Sequence, residues 1–572
     1  MENTAETGDE SEYSTVRERI RSLPSRSRTA VRSLPTRPAE VRDLLRRGAA
    51  NTRGKILAVV SALVALVLLT PVVWLVREAS GVGRERAVSM LFSGRTLEIV
   101  TNSLLLTTGV TVCSILVGVP LAILTVQTDL PFRRFWTVVA ALPLVIPSYI
   151  GAFAFVSAFG PRGILQDILA PLGIRELPEI YGLLGTTLVL TLYTYPYVYL
   201  TTRASLLSFD GTVVEAARTL NHSRWQAFWR VTLPQIKPGV AAGSLLVALY
   251  TLSDFGTPQI MRYDVFTRMI FVWYDNFFLG RAALMSLLLL ALTVIILAGE
   301  SRISASNEGA HVSSGGRRPG QIELGGWRWP AVGFCSLIAG LALVVPVGIL
   351  LMWLQRPSPG FAEGGYAFEM SYVVNSVSVS FAAAIVAVIV ALPLAYLSAR
   401  GDSKFGSLPE RASYVGYAMP GVVVGLALIS FGLQFASVLY GTVFMLIFAY
   451  VVRFIPQAVG TIKSSVLQVD PKHVEAAQSM GDGSIRSFRR VVLPQITPGI
   501  VAGGALVFLT TMKELPATLI LKPLNGETIV TYIWQVQEAA YYGQAAVPAL
   551  VLLAVSALSM LIILRQDEYG AT

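Results

Sequence analysis

Charge is scarce in this chain. Asp, Glu, Lys and Arg make up 14% of its 572 residues, against about a quarter in an ordinary soluble protein. With 53% hydrophobic residues, this shortage excludes the default soluble enzyme and points to a polytopic membrane protein. Cysteine is nearly missing too: Cys113 and Cys335 both fall in apolar runs, where a thiol behaves as a small hydrophobe, which excludes a disulfide framework and Cys-based zinc or redox chemistry. The three histidines, His222, His311 and His473, lie in polar segments and share no helical face, so no bound metal is expected. No Gly-x-x-x-x-Gly-Lys-[Ser/Thr] phosphate loop and no Ser/His/Asp set occurs, so neither ATP binding nor catalytic residues are expected of this chain. Acid is outnumbered, 35 residues to 45 basic ones. The excess is read as membrane topology and attraction to anionic lipid, not as nucleic-acid binding.

What is present is a series of apolar stretches near the roughly 20 residues that a bilayer asks of a helix. They lie near 56–76, 102–126, 136–159, 181–202, 239–260 and 283–299, then near 331–354, 374–398, 412–435, 437–460, 499–521 and 546–564. Lys and Arg concentrate in the loops on the N-terminal side of the membrane, and still do when the basic run from Arg17 to Lys55 is set aside. The positive-inside rule therefore makes both termini cytoplasmic in a cell membrane. The expected organisation is a basic tail over 1–55, a helical half over 56–300, a cytoplasmic linker over 301–329, a second half over 330–565 and a short C-terminus over 566–572. The tail lacks the apolar core of a signal peptide, and its arginines with Pro24, Pro35 and Pro38 favour disorder. Ser313, Ser314, Gly315 and Gly316 give the linker the composition of a flexible join.

The halves are copies. Glu215-Ala216-Ala217-Arg218-Thr219-Leu220-Asn221 and the following Leu233-Pro234-Gln235-Ile236-Lys237-Pro238-Gly239 recur at an offset of 260 (475 − 215). The second copy reads Glu475-Ala476-Ala477-Gln478-Ser479-Met480-Gly481 and Leu493-Pro494-Gln495-Ile496-Thr497-Pro498-Gly499. Pro196 and Pro456 keep that offset. Asn102-Ser103, Pro120 and Pro147 pair with Asn375-Ser376, Pro393 and Pro420 at an offset of 273 (375 − 102), so the first half carries an insertion between Pro147 and Pro196, around Gly160–Glu179. Six helices per half leave both halves in one orientation, related by an axis along the membrane normal. The expected fold class is an all-α polytopic membrane protein of about twelve transmembrane helices, in two parallel six-helix repeats.

Each repeated loop reads as two short helices. Asp210 and Asp470 cap the first, with Pro471 at a favoured first-turn position. Asn221 and Gly481 end it, being the residues most tolerant of a left-handed backbone. Ser223 and Gly483 are placed to cap the second, and Pro234 and Pro494 to stop it. The product would be a rigid peg with an exposed acid, suited to docking a partner.

These residues resemble the permease subunits of ABC importers, whose signature is Glu-Ala-Ala, three residues, Gly, about nine residues and Ile-x-Leu-Pro. Here Asn221 replaces the first Gly, and Val231 and Val491 replace Ile. The resemblance, which covers nearly all of residues 90–565, implies a type I importer fold and a coupling role for Glu215, Ala216, Ala217, Asn221, Leu233, Pro234, Glu475, Ala476, Ala477, Gly481, Leu493 and Pro494. It also implies two copies of a separate ATPase subunit on the cytoplasmic side, which would use the ATP, and an extracytoplasmic solute-binding protein. Among such permeases the two-half chain is most similar to those importing ferric iron, through Leu142–Gly151 with Phe159–Gly163, Ser253-Asp254-Phe255-Gly256, and Lys513-Glu514-Leu515-Pro516-Ala517-Thr518. Thiamine, polyamine and other small solutes share the helical plan. An ion-driven secondary carrier is a more remote alternative, since it needs no matched docking pegs.

Asp254 and Glu514 occupy matched positions in otherwise apolar segments. Acids at membrane depth are costly and usually functional, so the pair is a candidate for the translocation pathway, as a relay for a hard cation. A second reading, in which both acids cap helix ends or bind backbone amides, stands beside it. Lys513 is the group available to neutralise Glu514.

Overall fold

The computed structural model describes residues 38–160, 165–166, 170–173, 179–208, 226, 228–305, 322–355, 367–400, 408–524, 526–539 and 541–569. Most of the basic tail, the centre of the linker, most of the Gly160–Glu179 insertion, and Asp210, Glu215, Ala216, Ala217, Asn221 and Ser223 of the first loop lie outside these.

Among the described residues, helices account for nearly all the backbone. The first half comprises α1 (Pro38–Ser80), α2 (Gly94–Gln127), α3 (Arg133–Val139), α4 (Ser148–Phe159), α5 (Gly182–Ser208), α6 (Leu233–Ser253), α7 (Gly256–Ile260), α8 (Phe266–Asp275) and α9 (Leu279–Ala305). The second comprises α10 (Arg328–Ala339), α11 (Val345–Gln355), α12 (Met370–Arg400), α13 (Leu408–Ala418), α14 (Gly421–Phe435), α15 (Val443–Gln468), α16 (Pro471–Ser479), α17 (Ser484–Ser487), α18 (Leu493–Met512), α19 (Pro516–Leu521), α20 (Ile529–Glu538) and α21 (Tyr542–Tyr569). Among the described residues, eight helices are long and apolar enough to cross a bilayer, and a pair bent by 90° adds a ninth. The other three expected spans are present as α5, whose threonines and tyrosines dilute its hydropathy, as the broken pair α13–α14, and as α21.

Four of the expected spans are corrected. The stretches at 136–159 and 412–435 are not single helices: each breaks just before Ser148 or Gly421, after Pro147 and Pro420. Proline has no N–H to continue the ladder and turns its predecessor away from helical geometry, as Ile146 shows at φ −81°, ψ 120°. The stretches at 239–260 and 499–521 end early, at Ser253 and Met512, then restart as α7 and α19. There the Asp254 and Glu514 carboxylates accept the N–H groups of Thr257 (2.9 Å) and Ala517 (3.2 Å), taking the place of helix carbonyls.

The repeated Asn-Ser pairs anchor the short helices on the face opposite the repeated loops. Asn102 donates to the Asp264 carbonyl (3.1 Å) and Asn375 to that of Glu527 (2.9 Å). The hydroxyls of Ser103 and Ser376 accept the first N–H groups of α8 and α20, at 3.1 and 2.8 Å. Within each half, α6 on α5 and α18 on α15 pack through glycines four apart. An added Cβ at Gly243 would lie 2.6 Å from Val198 Cα, and one at Gly503 3.0 Å from Ala458 Cα. Lipid tails give no hydrophobic drive for helix association, so this close backbone approach carries the packing. Gly243→Val or Gly503→Val is therefore expected to cost about 1–3 kcal/mol by overpacking, read as a lower unfolding temperature in detergent.

The halves are interlocked by exchange of their first helices. Leu68 and Leu75 of α1 are buried in a cluster built largely from α12, α14 and α15, and Trp74 packs on Phe431 and Phe435. In return, Ile349 of α11 is buried against Ala154 and Ala158 of α4. The described end of the linker is pinned to the first half: Ile322 bridges Thr128, Leu324 N–H donates to Asp129 (2.9 Å), and Arg328 pairs with the same carboxylate, holding it below its ordinary pKa.

Candidate functional site

Two features stand out, one at the loop face and one between the halves. At the loop face, Asp470 caps α16 by accepting from Lys472 N (2.9 Å), with Pro471 beside it in the first turn. Val474 and Ala477 are buried against the body, while Glu475 and Ala476 face outward. Gly481 ends the helix at φ 96°; its N–H reaches the Gln478 carbonyl and that of Asp482 reaches Ala477, both at 3.1 Å. This is the double bond of a Schellman turn, which requires the left-handed residue that glycine supplies without strain. Met480 and Ile485, on either side of it, are 83% and 75% exposed. Asp129→Ala would leave this element untouched, whereas Asp470→Ala is expected to cost about 1 kcal/mol of local helix stability, visible as faster amide exchange over 472–478.

Leu493 and Pro494 do not stop the second short helix. α17 runs through a π-turn at Phe488–Val492 into α18 without interruption, and the same π-turn recurs at Phe228–Thr232 ahead of Leu233 and Pro234. In α geometry the proline ring would clash with the carbonyl four residues back, and the wider turn relieves that clash while keeping the helix continuous. α17 is therefore the first turn of a helix that continues into α18, while α16, with Glu475, is set off from it by the turn at Gly481. The Phe488 ring also meets Tyr396 of α12 edge-on at 5.3 Å.

Between the halves, where α4, α6, α14 and α18 break, lies a cavity of about 150 Å³. Its polar lining includes Tyr197, Tyr250, Asp254, Arg453, Lys513 and Glu514. Asp254 and Glu514, 8% and 7% exposed, both reach it, so the structure brings the matched acids to one chamber. Their surroundings differ. Asp254 accepts from Ser148, whose hydroxyl also accepts from Tyr250 (3.1 Å). Glu514 is paired with Arg453, itself only 9% exposed. Lys513, expected to neutralise Glu514, instead crosses to the first half and donates to the Leu144 carbonyl (2.8 Å).

Sequence reasoning passed over Arg453. Its signal was available: a lone arginine in an apolar helix, at the position matching Tyr193. The pairing also follows from Gly421, which matches Ser148. With no side chain at 421, the longer glutamate fills the space; a Cβ added there would run into the Glu514 carboxylate and the Arg453 guanidinium. Among the described residues no cluster of three or more His, Cys, Asp or Glu could hold a metal ion.

Residues 114–357 and 387–568 match the family described as binding-protein-dependent transport system inner membrane component. The chain is 32% identical over 504 residues, 88% of its length and 96% of the relative's, to the "Fe(3+)-transport system permease protein FbpB 2" of Haemophilus influenzae. It is 22% identical over 479 residues to the "Ferric transport system permease protein FbpB" of Actinobacillus pleuropneumoniae, covering 81% of this chain and 70% of that one. A shorter match, 29% over 177 residues, covering 30% of this chain and 60% of the relative, is to the "Spermidine/putrescine transport system permease protein PotB" of Haemophilus influenzae. With the domain present twice, on a multi-pass helical frame, this chain belongs to the family of inner membrane components of binding-protein-dependent transport systems.

Proposed function

We propose that the chain is the two-half permease of an ATP-driven importer whose cargo is ferric iron. The observation that carries this reading is the 32% identity that runs through nearly the whole length of a relative named for Fe(3+) transport. The loop face is cytoplasmic, as are both termini and the linker, in keeping with the Lys and Arg distribution. A solute-binding protein delivers cargo at the opposite face. Two copies of an ATPase subunit dock on the two loops, one on Glu215, Ala216, Ala217 and Asn221, the other on Glu475, Ala476, Ala477 and Gly481, with Leu233-Pro234 and Leu493-Pro494 joining each loop to its helix. ATP is bound and hydrolysed by those partners, and this chain holds no cofactor.

Closure of the ATPases moves both pegs, and the continuous π-to-α connection carries that motion along α6 and α18 to the chamber at their far ends. Asp254 and Glu514 belong to the pathway as the residues that hold its helix breaks. Asp254→Asn with Glu514→Gln is expected to slow uptake several-fold while the protein still assembles in the membrane; unchanged uptake would remove the pair from the pathway. The cargo is tested by deleting the gene, restoring it, and following radiolabelled ferric iron, thiamine and spermidine. Restored iron uptake alone supports the reading, and restored uptake of either other solute without iron overturns it.

A further inference from the structure

The central chamber differs from a bare cation's site in which groups it leaves unspent. Each oxygen of the two acids already has a donor within the protein: Thr257 N–H and Ser148 on Asp254, Ala517 N–H and Arg453 on Glu514. The donors are not used up in the same way. Lys513 directs one N–H to the Leu144 carbonyl and has two more. The buried Arg453 Nε has no hydrogen-bond partner. The Tyr197 and Tyr250 rings stand side by side in the wall, with centroids 6.1 Å apart. The fixed charges balance formally, two acids against two bases, but both acids are tied into helix caps while Lys513 is bound only to a neutral carbonyl. A trivalent cation stripped of its ligands would meet an ammonium and a guanidinium, with no cluster of free anionic oxygens to replace its hydration. The volume excludes a bare ion as the best fit: a cavity of about 150 Å³ takes up a molecule as large as benzene, which is room for an ion together with a small set of ligands.

We propose that this chamber binds its cargo as an anionic, oxygen-rich complex, a ferric ion still wrapped in carboxylate or phosphate oxygens, with Lys513 and Arg453 facing the oxyanion. The inference rests on the ferric reading above and deepens it. No bond of the complex need break in the chamber; its oxygens accept from the spare Lys513 N–H groups, beside the Arg453 charge.

The test is dual-label binding to the purified full-length chain in lipid nanodiscs, with ⁵⁵Fe(III) presented with ¹⁴C-citrate or with ³²P-pyrophosphate, and with each oxyanion alone as the further arm. Iron and oxyanion retained together are the expected result, and the label retained tells the carboxylate source from the phosphate source. Lys513→Met is expected to weaken binding at least tenfold and Lys513→Arg to restore most of it. Lys513→Gln, which keeps a donor for the Leu144 carbonyl, separates loss of charge from loss of fold, since size-exclusion elution should match the wild type while binding is lost. Iron retained without either oxyanion, or binding indifferent to Lys513→Met and Lys513→Gln, overturns the inference and leaves the ferric reading intact. Oxyanions retained equally without iron overturn the ferric reading and leave the anion preference standing. Retention of no label by the wild type overturns the inference.

Discussion

Reversing the acid on both pegs, Glu215→Arg with Glu475→Arg, is expected to abolish uptake and release the ATPase subunits while leaving the permease folded. Glu475 is exposed and makes no described bond through its carboxylate that shapes α16, whose ends are fixed by Asp470 and Gly481. Exposed substitutions away from such caps usually change stability by about 0.5 kcal/mol or less. The effect falls on assembly instead. Losing one partner of a desolvated interface pair costs about 2–5 kcal/mol, on the order of thirty-fold to several thousand-fold in affinity, and charge reversal adds repulsion. The measurement is co-elution of ATPase subunits with affinity-tagged permease, beside its unfolding temperature. An unchanged unfolding temperature with lost co-elution is the expected pair of results. Normal co-elution and normal uptake would sink the coupling reading.

The second large effect is expected at Arg453. Arg453→Met strands Glu514 as a buried, uncompensated charge, and breaking such a pair from one side costs about 3–5 kcal/mol. The double variant Arg453→Met, Glu514→Gln removes both charges and keeps an acceptor for the Ala517 N–H, so it should recover most of that loss. Unfolding temperature in detergent and the yield of monodisperse protein read both. If the double variant is no more stable than the single one, the ion pair is not what holds the break between α18 and α19, and the space left by Gly421 must be explained otherwise.

Much of this frame is legible in the residues alone. Helix number and the duplication follow from apolar length and from the repeated Glu-Ala-Ala and Leu-Pro residues. The cap at Asp470 and the left-handed Gly481 follow from local chemistry confined to a few residues. What escaped was of two kinds: local departures from the usual behaviour of proline and of apolar runs, and a pairing made over a long distance. Prolines 234 and 494 were expected to stop a helix, since proline usually does so, yet a π-turn ahead of each absorbs the clash. The breaks at 147, 254, 420 and 514 fell inside apolar runs and looked like continuous spans. Lys513 is adjacent to Glu514 in sequence, but neighbouring residues at a helix end point apart, and the partner of Glu514 comes from α15.

By itself the sequence determined that the chain is a duplicated helical membrane protein with a matched polar loop in each half, because hydropathy, repeat spacing and capping residues act locally and survive without knowledge of the fold. Only the tertiary structure decided that the first helices are exchanged between halves, that both acids border one chamber, and that their oxygens are already satisfied there. Those outcomes depend on which side chains meet across α4, α6, α14, α15 and α18, and a one-dimensional pattern carries no information about which donor reaches a buried carboxylate first.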